Sequence, residues 1–160
     1  CLREDKRAVY LDPSQGRPDG AVTHAHSDHL RPNTHMTKPT ADVMKVRTGA
    51  TKATVHDFHE KFKINDFELE FISAGHVVGS AMIECHDVLY TGDYNPYGTV
   101  TAGIAKPRDC DTLIVESTYG KPDQTLPDRS EVLEDLDSDE TRFLSPATPR
   151  TIFLKLHFGW

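Results

Sequence analysis

Three histidines and an aspartate fall within six residues of the chain: His24, His26, Asp28 and His29. Imidazole nitrogens and carboxylate oxygens are ligands that zinc accepts. In an extended segment residues two apart point the same way, so His24 and His26 can reach one ion. Asp28 and His29, on a changed backbone direction, can serve a second ion a few Å away. Without a cation this crowding wastes hydrogen bonds and sets the imidazoles against one another whenever they protonate. A zinc site with an open position holds water that ionises near neutrality, so the chemistry on offer is hydrolysis. His76 and Asp93 are two distant recruits for the same cluster. His35, His56, His59, His86 and His157 stand singly and read as solvated surface residues.

Short strands and turns must position these groups. Residues 8–12 read as a strand that ends at a carboxylate and is broken by Pro13. Gly16, Pro18 and Gly20 make the turn that follows. Residues 21–23 form a second short strand that runs straight into the His24–His29 cluster, so polar groups crowd a strand end. Thr40 is the expected N-cap of a helix over 41–47 that Gly49 stops. Phe67, Leu69 and Phe71 alternate with Glu68 and Glu70, the period of a strand with one face buried and one in water. Residues 80–85 and 88–91 flank His86-Asp87 as a hairpin, and 113–115 suit a buried strand. Asp128 with Glu131 opens a further helix through Leu136, beyond which the pattern decays. Many short strands with few helices predict a mixed α/β layered domain.

Composition narrows the classes. The chain has 160 residues, 37% of them hydrophobic, with 10 Gly, 10 Pro and three cysteines, which suits one compact domain. No apolar run approaches the roughly 20 residues of a bilayer span, and no charged-then-apolar leader opens the chain. Cys1, Cys85 and Cys110 are odd in number and lack CxxC spacing, so neither a disulfide framework nor a thiolate zinc site is expected. The expected compartment is the cytoplasm, with no membrane partner. Lys and Arg number 18 against 25 Asp and Glu, a formal charge of −7.

At the metal-ligating residues the sequence resembles a known family. Residues 23–29 match the HxHxDH signature of the metallo-β-lactamase fold, residues 73–81 resemble its third motif, and Tyr90-Thr91-Gly92-Asp93-Tyr94 its fourth. Asp12 matches the first-motif aspartate. Leu113-Ile114-Val115-Glu116-Ser117-Thr118-Tyr119-Gly120 resembles the first special motif of the β-CASP branch, the nucleases of RNA 3′-end processing and DNA repair. The resemblance implies an αββα sandwich, here its N-terminal half, with two zinc ions. His24, His26 and His76 would hold one zinc, and Asp28, His29 and Asp93 the other, with Asp93 shared. Asp12 would orient the site, Asp28 the nucleophile, and Glu116 would support a histidine of a later motif. The chain ends before the cap domain and the last two family histidines, and His157 matches neither. It also opens at Cys1 rather than Met, so a fragment, a processed form or an incomplete gene reading is expected, with 1–137 a partial metallo-β-lactamase-like domain and 138–160 an unmatched tail.

The activity this implies is phosphodiester hydrolysis of RNA or single-stranded DNA by a hydroxide held between two metals. Two readings stand beside it: hydrolysis of a small ester or thioester by the same fold, and a non-catalytic module that pairs with an active homologue. The negative charge is awkward for a nucleic-acid enzyme, because phosphate contacts by Lys and Arg normally supply much of the affinity. Divalent ions, a far acidic surface or adaptation to high salt each offset this. Half a sandwich also leaves a sheet edge unpaired and apolar surface uncovered, so association into a homodimer or with a homologous subunit is expected.

Overall fold

The structure is a computed structural model and describes residues 1–4, 6–118 and 120. The helix expected from Asp128, the tail 138–160 and His157 lie outside the described residues. Two five-stranded mixed sheets form the body. The first runs in the order β1 (Leu2–Glu4), β2 (Arg7–Leu11), β3 (Gly20–Ala21), β4 (His35–Thr37), β5 (Thr54–His56), antiparallel at β1–β2 and parallel thereafter. The second has β6 (Lys61–Ile64), β7 (Phe67–Ser73), β8 (Ala81–Cys85) and β9 (Val88–Tyr90) as an antiparallel meander, closed by β10 (Thr112–Ile114) parallel to β9.

Alternation explains the stacking. Val9 and Ala21 of the first sheet pack against Phe67, Leu69, Phe71, Ala81, Ile83 and Tyr90 of the second, every one of them buried. A fully buried aliphatic or aromatic side chain contributes about 1.5–3 kcal/mol, so this shared layer is the main force joining the sheets. Helix α1 (Lys38–Thr48) covers the other face of the first sheet, with Met44 against Val22 and Met36. On the outer face of the second sheet Ile72, Met82 and Leu89 form a smaller buried group with Ala105. The backbone N–H of Ala81 donates to Thr23 O at 2.8 Å, a hydrogen bond between the two halves at the strand ends where the site lies.

Several elements differ from the sequence expectation. Helix α1 starts at Lys38, with Thr37 rather than Thr40 as N-cap, and Pro39 lies in its first turn, where the missing N–H costs nothing. Its stop at Gly49 is as expected, with φ +73°. Strands β1, β4 and β5 carry little pattern of their own and exist through pairing, whereas β6, which the expectation lacked, alternates exposed Lys61 and Lys63 with buried Phe62 and Ile64. β10 is half-buried at a sheet edge, not buried. Glu70 does not face water: it is 6% exposed, and the Arg108 guanidinium bridges it to Glu84. Glu70 and Glu84 stand directly opposite in the β7–β8 register, a repulsive placement that Arg108 turns favourable. His35 and His56 are likewise not solvated: His35 Nδ1 lies 2.8 Å from His56 Nε2, and both rings stack parallel to Phe62.

Candidate metal centre

Four side chains converge where strands end. Ligand atoms of His24, His26, His76 and Asp93 all lie within 4.8 Å of one another. His26 Nδ1 is 3.0 Å from His24 Nε2 and 3.3 Å from His76 Nε2, and Asp93 Oδ2 is 3.7 Å from the Nε2 of both His24 and His76. A tetrahedral ion with ligands at roughly 2.0–2.1 Å has edges of roughly 3.3–3.4 Å, so these spacings fit one cation. His29 and Asp28 are set beside this group rather than in it. His29 Nε2 is 3.6 Å from Asp93 Oδ1 and 3.5 Å from Asp28 Oδ2, so Asp93 faces both sets. Asp28 is the open side of the centre, its side chain 48% exposed.

The protonation of His24 follows from its neighbours. Thr23 Oγ1 donates to Asp12 Oδ2 at 2.8 Å, so its lone pair is left for His24 Nδ1 at 2.9 Å, which must carry the hydrogen. The Nε2 lone pair of His24 therefore points into the cluster, the arrangement a ligating imidazole needs. Burial, with the three neighbouring histidines, pushes the His24 imidazolium down to about 2, so the ring stays a neutral donor. Burial also lowers His26 and His76 and raises the Asp93 carboxyl, whose neighbours Glu116 and Asp28 push it further against the pull of His29 and His76. Three imidazole nitrogens and a carboxylate oxygen that face one another are a donor set that suits a divalent ion.

Surrounding groups hold this geometry. Asp12 adopts the left-handed backbone region at φ 43°, a conformation that persists only where its contacts fix it. Its Oδ1 accepts from Thr23 N at 2.8 Å, its Oδ2 also accepts from Tyr90 Oη at 3.0 Å, and His29 Nδ1 lies 2.9 Å from Oδ2. Burial works against protonation of His29, but Asp12, Asp93 and Asp28 together outweigh it and raise the group. Gly92, at φ +54°, lets the Asp93 strand end approach Thr23, since a Cβ there would sit 2.7 Å from the threonine side chain. Ser80 Oγ accepts from the N–H groups of His76 and Val77 at 3.0 and 3.1 Å and shapes that loop.

Helix α1 straps both ligand loops. At its start Thr37 and Thr40 hydroxyls donate to Gly79 O at 2.7 and 3.0 Å, on the His76 loop, and in its last turn Arg47 donates to the carbonyl of Ala25, between His24 and His26. Glu116 accepts from Tyr94 N at 3.1 Å and from Thr118 Oγ1 at 2.6 Å, and so fixes the residue after Asp93. Thr23, Ser80 and Tyr90 lie within the motifs, but the sequence shows no role for them, nor for Arg47 or Thr37. A hydroxyl beside each ligand loop is the one signal that could have pointed to the first two.

No family model matches the sequence. An RNase J-like protein of Methanocaldococcus jannaschii is 31% identical over 68% of this chain and 33% of its own length. A probable DNA ligase of Opitutus terrae is 29% identical over 79% of this chain and 13% of its own length. Among solved structures a diphosphatase of the PhnP family aligns with 91% of this chain and 73% of its own at TM-score 0.44 and 13% identity. The chain thus spans a third or less of the length of the curated relatives it matches. In its motifs and in the curated relatives that match it, the chain resembles the β-CASP branch of the metallo-β-lactamase fold.

Proposed function

We propose that the chain is the metal-bearing part of a zinc-dependent nuclease that hydrolyses phosphodiester bonds of RNA or single-stranded DNA. The observation that carries the reading is the inward-facing set His24, His26, His76 and Asp93, with the His24 tautomer fixed by Thr23 and Asp12. These four would hold one ion, and Asp28, His29 and Asp93 a second. When bound, such ions polarise a phosphoryl oxygen and bring the ionisation of water into the neutral range. Asp28, at the open rim, accepts a hydrogen from water there and orients its lone pair toward phosphorus. Asp12 keeps Thr23 and, through it, His24 in place. Glu116 sets the backbone beyond Asp93 and adds negative charge that favours cation loading.

The RNase J-like relative supports RNA as substrate. Single-stranded DNA is the second reading, and the relative described as a probable DNA ligase supports DNA alongside RNA. Residues 1–137 form the domain in this reading and 138–160 its tail. A reducing cytoplasm suits the unpaired state of Cys1, Cys85 and Cys110, and no described helix is long and apolar enough to cross a membrane. The test is zinc content per chain by mass spectrometry after dialysis, alongside cleavage of end-labelled RNA and DNA single strands. The expected result is about two zinc ions, lost together with cleavage in His24→Ala and Asp93→Asn. Cleavage that survives His76→Ala or thorough chelation sinks the reading.

A further inference from the structure

Beside the centre lies a loop that the roles above leave unused. Residues 94–105 connect Asp93 to the outer face of the second sheet, and their backbone is well tied. Asn95 N donates to Ala74 O at 2.8 Å, Asn95 Oδ1 accepts from Tyr97 N at 3.0 Å, and Thr99 Oγ1 accepts from Ala102 N at 2.9 Å. The loop presses on the residue before His76: a Cβ on Gly75 would sit 2.5 Å from Asn95 O, 2.7 Å from Gly103 O and 2.8 Å from Ala105 N. Tyr97 follows Asp93 by four residues, so chain reach keeps the two Cα atoms within about 14 Å.

This ordered loop holds out apolar surface. Tyr97 is 81% exposed, Val100 wholly so and Ile104 59%, and Val78 across the join is 42% exposed. Single exposed apolar side chains are ordinary. Here four of the six large exposed hydrophobics among the described residues lie on this loop or on the loop that carries His76. The charge pattern identifies what they fit. In a chain of net charge −7, residues 94–108 contain no carboxylate and two cations, Lys106 and Arg108. Arg108 is held by Glu70 and Glu84, which leaves the exposed Lys106 facing outward. An exposed aromatic ring on a firm loop, an available lysine and no acid is how proteins hold single-stranded nucleic acid: the base stacks and the backbone phosphate meets the cation.

We infer that Tyr97 is the stacking platform for an unpaired base of a single strand whose phosphodiester enters the His24–Asp93 centre, with Lys106 as a phosphate contact. The inference rests on the nuclease reading and adds to it the residue that grips the strand. Because every base has a π-face, this grip is tolerant of sequence.

The test uses the full 160-residue chain, zinc-loaded, with a phosphorothioate-linked single strand of about 12 nucleotides carrying 2-aminopurine at successive positions. Binding is read by anisotropy and stacking by quenching of the 2-aminopurine. Tyr97→Ala is expected to weaken binding about 5- to 150-fold and abolish quenching at one position. Tyr97→Phe keeps both, and zinc content is the same in all three proteins. Lys106→Gln lowers the slope of log affinity against log salt by about 0.7, a slope that Tyr97→Ala leaves alone. Wild-type affinity and quenching in Tyr97→Ala overturn the inference and leave the nuclease reading standing. If no strand binds, yet bis(p-nitrophenyl) phosphate is hydrolysed with zinc, strand docking is overturned and the centre serves small phosphodiesters. A Tyr97→Ala effect on self-association in sedimentation, with strand binding intact, assigns the patch to a protein contact and overturns the proposal.

Discussion

Two polar clusters in this molecule solve the problem of burying charge in opposite ways. Around Glu70 the chain supplies its own cation: Arg108 bridges Glu70 and Glu84, His59 Nδ1 stands 3.1 Å from Glu70 Oε1, and the Glu70 carboxyl is held below its usual range, chiefly by Arg108. Around Asp93 the chain supplies imidazole nitrogens that face one another instead, and the Asp93 carboxyl is pushed up by burial. The direction of the carboxyl shift separates a cluster that is complete within the chain from one built to receive an ion. The first is a structural clamp and the second a candidate metal centre.

The widest separation between the two comes from metal. Zinc at about 100 times its dissociation constant is expected to stabilise the fold by about 2.7 kcal/mol, read as a rise in urea midpoint. Asp93→Asn should remove that rise while leaving the metal-free protein equally or more stable, since a buried carboxylate is neutralised. A loss of stability in metal-free Asp93→Asn would show that the centre is complete without an ion. Next in size, Thr23→Val strips His24 Nδ1 of its acceptor and Asp12 of a donor. Zinc affinity by competition titration is expected to fall about 10- to 100-fold, with all four ligands still present.

The clamp is broken by Arg108→Ala, which leaves Glu70 and Glu84 opposed. Arg108 is 42% exposed, so solvent screens the pair, and the expected cost is about 1–2 kcal/mol with zinc content unchanged. Co-loss of zinc would join the two clusters into one. The smallest effect concerns His35, whose imidazolium is disfavoured by burial first and by His56 second. A histidine lowered in the fold contributes stability above its ordinary value near 6.5 and loses it as pH falls through the window beneath. The drop in urea midpoint from pH 7 to pH 5 should therefore be smaller in His35→Gln than in the parent chain.

Much of this contrast was legible in the sequence and part was not. The ligand loops are visible because residue type itself carries the chemistry, and strands β2, β7 and β8–β9 show because their apolar residues alternate or bracket a polar turn. Glu70 misled because alternation says which face a side chain points to, not whether an arginine far along the chain covers that face. His35 and His56 misled for the same reason, since only the β4–β5 pairing brings them together. The Thr23 hydroxyl is silent in sequence because its role depends on Asp12 reaching it from a neighbouring strand end. The helix start at Lys38 is masked by Pro39, which reads as a break although it stands inside the first turn.

The Ala81–Thr23 hydrogen bond between the two halves has a consequence for the order of folding. His24 and His26 leave the ribosome well before His76 and Asp93 exist, and the hydroxyl relay to Asp12 cannot orient a ring against a partner sheet not yet made. An early ion therefore finds two ligands of each set, His24 with His26 or Asp28 with His29, and a weak hold. Tight capture waits for the long-range closure that brings the later strands back onto the earlier ones, the slow kind of contact in folding. Zinc should then leave the folding rate almost unchanged and slow unfolding instead, so that its signature lies in the lifetime of the folded chain.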